Sequence, residues 1–193
     1  MPNPDLEPAA RRMADLVRNV PDDKLSAATP CPDYTLGDLI EHVGGLSLAF
    51  TAAATKTPLE GSDQGPSGDA SRLDDDWRTS IPERLAALGA AWKDPEAWTG
   101  MTRAGGVDLP GEVGGLVALD ELVVHGWDVA KASDQPYDPG ADELEAVHGF
   151  VSQFAGDDGP DSIFGPPVPV PDDAPLLDRV IGLTGRDPSW SAA

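Results

Sequence analysis

Residues 120–130 read DELVVHGWDVA, a run that places Glu121 and His125 one turn apart inside an otherwise apolar helix. Side chains at i and i+4 share a helix face, with β-carbons roughly 5–6 Å apart. A carboxylate and an imidazole at that separation can both reach one small cation. Burying an unpaired carboxylate is costly because desolvation disfavours its charged form. A metal ion removes that cost for both side chains at once.

The helix carrying this pair is predicted over about residues 113–133, and three more of similar length precede it. Leu6, Ala9, Ala10, Met13, Leu16, Val17 and Val20 recur at helical spacing, predicting a helix over about 5–19. Thr35 reads as an N-cap with Asp38 three residues on, a short relative of the capping box, opening a helix to about residue 54. Trp77, Ile81, Leu85, Leu88 and Trp92 mark the stripe of a helix over 73–92. Pro82 either lies in the first turn of a shorter helix starting near Ile81 or kinks a longer one. Between the second and third helices, residues 55–71 are rich in Gly, Pro and Ser and read as a crossing loop. WTGMTRAGGVDLPG (98–111) has the strand, Gly-Gly, strand character of a hairpin. A fifth helix fits 140–155; GPPVPVPDDAP (165–175) is extended by its prolines, and LLDRVIGL (176–183) closes the chain as a short helix. The expectation is all-α: an antiparallel four-helix bundle with a hairpin crossover. It forms one domain over 1–193, with a core at about 5–155 and an extension at about 156–193.

Only three histidines occur. His42 shares its helix face with Leu39, Leu46, Ala49 and Ala53, and His125 is flanked by Ala118, Leu122 and Val129. Glu121 falls between that second patch and a polar arc of Asp120, Asp128 and Lys131. Taken singly, a histidine on an apolar face is most simply a satisfied core residue, and a glutamate beside a polar arc is most simply solvated. Taken together on two helices of one bundle, two imidazoles and one carboxylate are a known ligand set with coordination positions left open. Asp128 is a candidate to hydrogen-bond a ligand imidazole. His148, among glutamates near a helix end, reads as a surface residue. Cys31, between two prolines before the second helix, reads as a packed thiol, with activation by the helix N-terminus as the alternative. Trp77, Trp92 and Trp127 read as core. No GxSxG, CxxC or HExxH pattern occurs.

Composition narrows the classes of function. A net charge of −21, from 34 acidic and 13 basic residues, opposes binding to nucleic acid or to an anionic membrane. There is no apolar leader at the N-terminus and no run near the roughly 20 apolar residues that span a bilayer. One cysteine cannot form an internal disulfide, which fits a reducing cytoplasm.

TPCPDYTLGDLIEHVGG (29–45), DELVVHGWDVAKASDQPY (120–137) and FGPPVPVPDDAPLLDRVIGLTGRDPSW (164–190) appear in that order. They resemble three blocks of the actinobacterial metal-binding proteins related to mycothiol-dependent maleylpyruvate isomerase, within the DinB-like superfamily of four-helix bundles. The resemblance implies a divalent metal site at one end of the bundle, with His42, Glu121 and His125 as ligands and water or substrate completing the sphere. Zinc is the first expectation for the metal, with nickel and iron as alternatives. Mycothiol is the implied thiol cofactor, and a small-molecule substrate or thiol the implied partner, with pairing into a homodimer left open. The characterised isomerases carry an additional C-terminal domain, against which this chain is expected to keep only a short tail. The functional expectation is a metal-dependent enzyme that uses a low-molecular-weight thiol for transfer to, or isomerisation of, a small electrophile. The alternative is a non-catalytic, stress-related module that binds metal or a small ligand. No general acid or base is identified.

Overall fold

The computed structural model describes residues 3–57, 67–154 and 163–192. Helix α1 spans Glu7–Arg18, α2 Leu36–Thr55, α3 Trp77–Ala91, α4 Gly111–Ser133, α5 Ala141–Val151 and α6 Leu176–Leu183. A hairpin of β1 (Met101–Ala104) and β2 (Val107–Pro110) stands between α3 and α4. Its strands pair antiparallel from Met101↔Pro110 to Ala104↔Val107. Gly105 and Gly106 make the turn at φ +56° and +80°, a conformation that side chains with a β-carbon resist.

Helices α1 and α2 each pack against both α3 and α4, so the four form a ring with α1 opposite α2. The direction of each helix follows from its contacts. Lys93 pairs with Glu7 while Arg78 reaches the Val20 carbonyl, so α1 and α3 are antiparallel. His42 meets His125, and Ala53 accepts from Thr102 just before α4 begins, so α2 and α4 are antiparallel too. However, Gly44 lies against Ile81 while the Phe50 carbonyl accepts from Trp92, which makes α2 and α3 parallel. The antiparallel expectation therefore holds for α1/α3 and α2/α4 and fails for α2/α3 and for α1/α4, whose C-terminal ends meet where Gln135 donates to the Leu16 carbonyl. Ahead of α3, Ala70 lies at the start of α2, where Asp38 accepts from its amide. Part of the expected crossing loop, residues 58–66, lies outside the described residues.

Local chemistry explains where the helices start. Thr35 Oγ1 accepts from the Asp38 amide, and the Asp38 carboxylate accepts from the Thr35 amide at 3.0 Å, closing the capping box. Helix α3 begins at Trp77 and runs through Pro82. Proline has no amide hydrogen, so one bond near the N-terminus, to the Arg78 carbonyl, is missing while the rest of the helix continues. Trp77, Trp92 and Trp127 are buried as expected. Trp98 joins them, its ring lying against Gly115 so closely that a β-carbon there would stand 2.3 Å from it.

Beyond the ring, α5 packs on α4 and α6 packs on α5. Residues 165–174 form no helix or strand, and the Val168 amide donates to the Gly182 carbonyl of α6. Gly185, at φ +82° and pressed against Gly165, turns the chain after α6 back towards α4. Among the described residues no helix is long and apolar enough to cross a membrane.

Candidate metal centre

Because α2 and α4 run antiparallel in contact, the inward faces bearing His42 and His125 meet. The two imidazole rings stand edge-on, centroids 5.2 Å apart with planes at 89°. The Tyr34 ring, from the loop before α2, covers His42 with centroids 5.1 Å apart. One ligand atom from each of His42, Glu121 and His125 falls within 4.8 Å of the others. That 4.8 Å envelope exceeds by roughly 0.6 Å the ~4.2 Å span of two ligands each about 2.1 Å from one centre. A small side-chain adjustment closes the difference, so the donor set fits a divalent cation. Leu39, Ala118, Leu122 and Val129, one helical turn from His42, Glu121 or His125, are buried and give the trio a low-dielectric wall.

Both nitrogens of His125 are engaged. Nε2 lies 3.0 Å from Glu121 Oε2, and Nδ1 lies 2.9 Å from Asp128 Oδ2. Burial alone would lower the imidazole pKa, but the hydrogen bonds to Asp128 and Glu121 outweigh it and push it up to about 9. Burial likewise raises the Glu121 carboxyl; the His125 hydrogen bond and the charges of His125, His42 and Arg186 overturn this and hold it below its usual range. Asp128 has no solvent exposure, and Arg186 Nε donates to both of its oxygens at 2.9 and 3.0 Å. A chain of polar contacts thus runs from the tail to the cluster: Arg186, Asp128, His125, Glu121.

The polar arc read from the sequence is not a solvated face. Asp120 and Asp128 are both buried, covered by chain that helical periodicity cannot foresee. Asp120 Oδ1 has no hydrogen-bond partner among the described residues. Burial, with the neighbouring Glu121 charge adding to it, pushes that carboxyl up to about 8. Glu121 does keep solvent contact, with 28% of its side chain exposed, so the cluster opens outward on its own side.

His148 stands apart from the trio, half-buried, with Nε2 3.3 Å from an Arg179 nitrogen. Cys31 is half-buried, and burial pushes its thiol up despite the nearby Arg186 charge, which argues against activation by the α2 N-terminus. Arg186 and Tyr34 were not singled out from the sequence. Both lie within blocks quoted for the family resemblance, but nothing in spacing aims a tail arginine or a loop tyrosine at a helix pair.

Residues 6–130 match the family described as the mycothiol maleylpyruvate isomerase N-terminal domain, and the matched span holds all three cluster residues. The chain belongs to this family. Uncharacterised proteins from two strains of Mycobacterium tuberculosis are each 32% identical to it over 183 residues, covering 90% of this chain and 91% of their own. The fold matches the crystal structure of the mycothiol-dependent maleylpyruvate isomerase with a TM-score of 0.65 at 18% identity. A histidine-to-alanine mutant of that isomerase matches equally well. The match covers 100% of this chain and 92% of the isomerase chain, which corrects the expectation of a tail much shorter than the isomerase's C-terminal part.

Proposed function

We propose that His42, Glu121 and His125 hold one divalent cation, zinc first and iron or nickel as alternatives, for thiol-dependent chemistry on a small electrophile. The observation that carries this reading is the convergence of the three donors, with His125 Nδ1 donating to Asp128 behind them. A carboxylate at that position fixes the imidazole tautomer and orients the ring, as carboxylates behind metal-binding histidines do. When bound, the cation supplies Lewis acidity and lowers the pKa of a water or thiol beside it.

The protein's own groups divide the remaining work. Asp128 accepts from His125 Nδ1, leaving Nε2 to face the open side. Arg186 pairs with Asp128 and holds the buried carboxylate in place. Tyr34 shields the His42 ring from water. Among the described residues no fourth histidine, cysteine or carboxylate joins the cluster, so a coordination position remains for an external thiol. The family name and the isomerase fold support mycothiol as that thiol. An open position favours catalysis over a closed structural site.

Metal analysis of the untagged protein is expected to return one equivalent of metal, and the His125→Ala variant none, with its helical circular dichroism retained. In cobalt-substituted protein, titration with a small cytosolic thiol should raise an intense near-ultraviolet thiolate charge-transfer band. Bound cobalt without that band at millimolar thiol would defeat the thiol reading and leave a metal-binding module.

A further inference from the structure

Arg186 latches the chain after α6 to the cluster. Gly185 turns the chain, Arg186 enters the interior with 14% of its side chain exposed, and its Nε takes both oxygens of the fully buried Asp128. Asp128 in turn holds the ring nitrogen of His125 that faces away from Glu121. We infer that Arg186 is a positioning residue whose contact with Asp128 of α4 couples cation binding at His42, Glu121 and His125 to docking of residues 176–192, whose helix α6 packs on α5. The inference rests on the metal reading above and adds what the tail does for it.

Two opposing effects fix the sign. A guanidinium near a cation repels it, which by itself would make Arg186 unfavourable to metal. That charge is paired with the Asp128 carboxylate at 2.9 Å, which offsets its repulsion of a cation. What Arg186 contributes is the fixed place of Asp128, because a buried carboxylate stripped of its ion-pair partner is strongly destabilised. Without Arg186, Asp128 leaves its position beneath His125, and the imidazole loses the acceptor that orients it. Loss of such an outer partner typically weakens metal binding by about 10–100-fold. Coupling between two binding events is reciprocal. Metal therefore holds the tail down by the same factor as the tail strengthens the site.

The test combines metal titration with amide hydrogen exchange on the full chain. Zinc affinity is expected to fall about 10–100-fold in Arg186→Met. Asp128→Asn should fall similarly, and the double variant should be no worse than Asp128→Asn alone. In the wild type, zinc should slow exchange across residues 176–192; in Arg186→Met that slowing should vanish. A purely structural arginine would lower thermal stability equally with and without zinc and leave the affinity unchanged, which would overturn the inference. Effects that multiply in the double variant would overturn it too, since Arg186 would then act independently of Asp128. Arg186→Lys keeps the charge without the planar fork and covers the case in which Arg186→Met fails to fold. Lysine is expected to restore part of the affinity, and zinc binding of wild-type strength with no exchange protection would count against the coupling. A wild type that binds no zinc, iron or nickel would defeat the metal reading itself, an outcome distinct from a wild type that binds zinc and an Arg186→Met that binds it equally.

Discussion

At the scale of single residues, Asp38 shows how much one carboxylate can organise. It accepts from the Thr35 amide at 3.0 Å, from the Thr35 hydroxyl at 2.6 Å and from the Ala70 amide at 2.8 Å. These bonds, the Thr35 hydroxyl first, hold its pKa below the usual 3.8. A carboxyl whose pKa is depressed on folding contributes stability in full above its unfolded value and loses it as the pH falls through the folded value. Asp38→Ala is therefore expected to cost about 1 kcal/mol at neutral pH, as loss of a helix cap does. The gap to the wild type should close as the pH is lowered past 3.8. Urea melts of both proteins between neutral and acid pH measure it; a gap that stays constant would show that the charge is irrelevant. The Thr35–Asp38 pairing was legible in the sequence because a capping box is a local pattern. The bond to Ala70 was not, since it depends on where the returning chain comes to rest.

At the scale of elements, the close approach of α4 to the Trp98 turn sets where Glu121 and His125 sit along the bundle. A β-carbon on Gly115 would stand 2.3 Å from the Trp98 ring, which is itself held by its indole nitrogen donating to the Trp92 carbonyl at 2.8 Å. The ring has no room to retreat, so α4 would have to shift. Gly115→Ala is expected to destabilise the fold by roughly 1–3 kcal/mol, the usual cost of overpacking a core. It should also weaken metal binding, because displacing α4 moves two of the three donors relative to His42. Thermal melts and zinc titration of Gly115→Ala check both. Destabilisation with an unchanged affinity would mean that the helix absorbs the shift before it reaches Glu121.

At the scale of the whole molecule, 34 acidic side chains face 13 basic ones. Surface ion pairs such as Arg18–Asp15 and Arg72–Glu41 contribute little each and are weakened by salt. The unmatched carboxylates outnumber them, so self-repulsion dominates the long-range electrostatics. Raising sodium chloride from about 10 mM to about 0.5 M shortens the screening length from roughly 30 Å to under 10 Å. The melting temperature is then expected to rise by about 2–4 °C, equivalent to about 1 kcal/mol in a domain of this size. A fall on adding salt would mean that the local ion pairs outweigh the net charge.

What residues 1–193 determined by themselves was periodic and local: four long helices, the Gly-Gly hairpin, and inward faces carrying His42 on one helix and His125 on another. Apolar spacing reports these because a helix buries whichever stripe is hydrophobic, whatever it packs against. Glu121 was legible as a neighbour of His125 because i and i+4 lie on one face in any helix. Only the tertiary structure decided that α2 and α3, and with them α1 and α4, run parallel, since the apolar stripe of a helix carries no direction and the choice falls to the packing of the ring. Only the tertiary structure likewise put Asp120 and Asp128 in the interior. A polar arc on an isolated helix is solvated by default, and whether it stays so depends on chain far away in sequence. Arg186 is that distant chain, 58 residues from the carboxylate it pairs with. Charge pairing across such a separation leaves no periodic trace, because it is fixed by the fold that brings the two groups together.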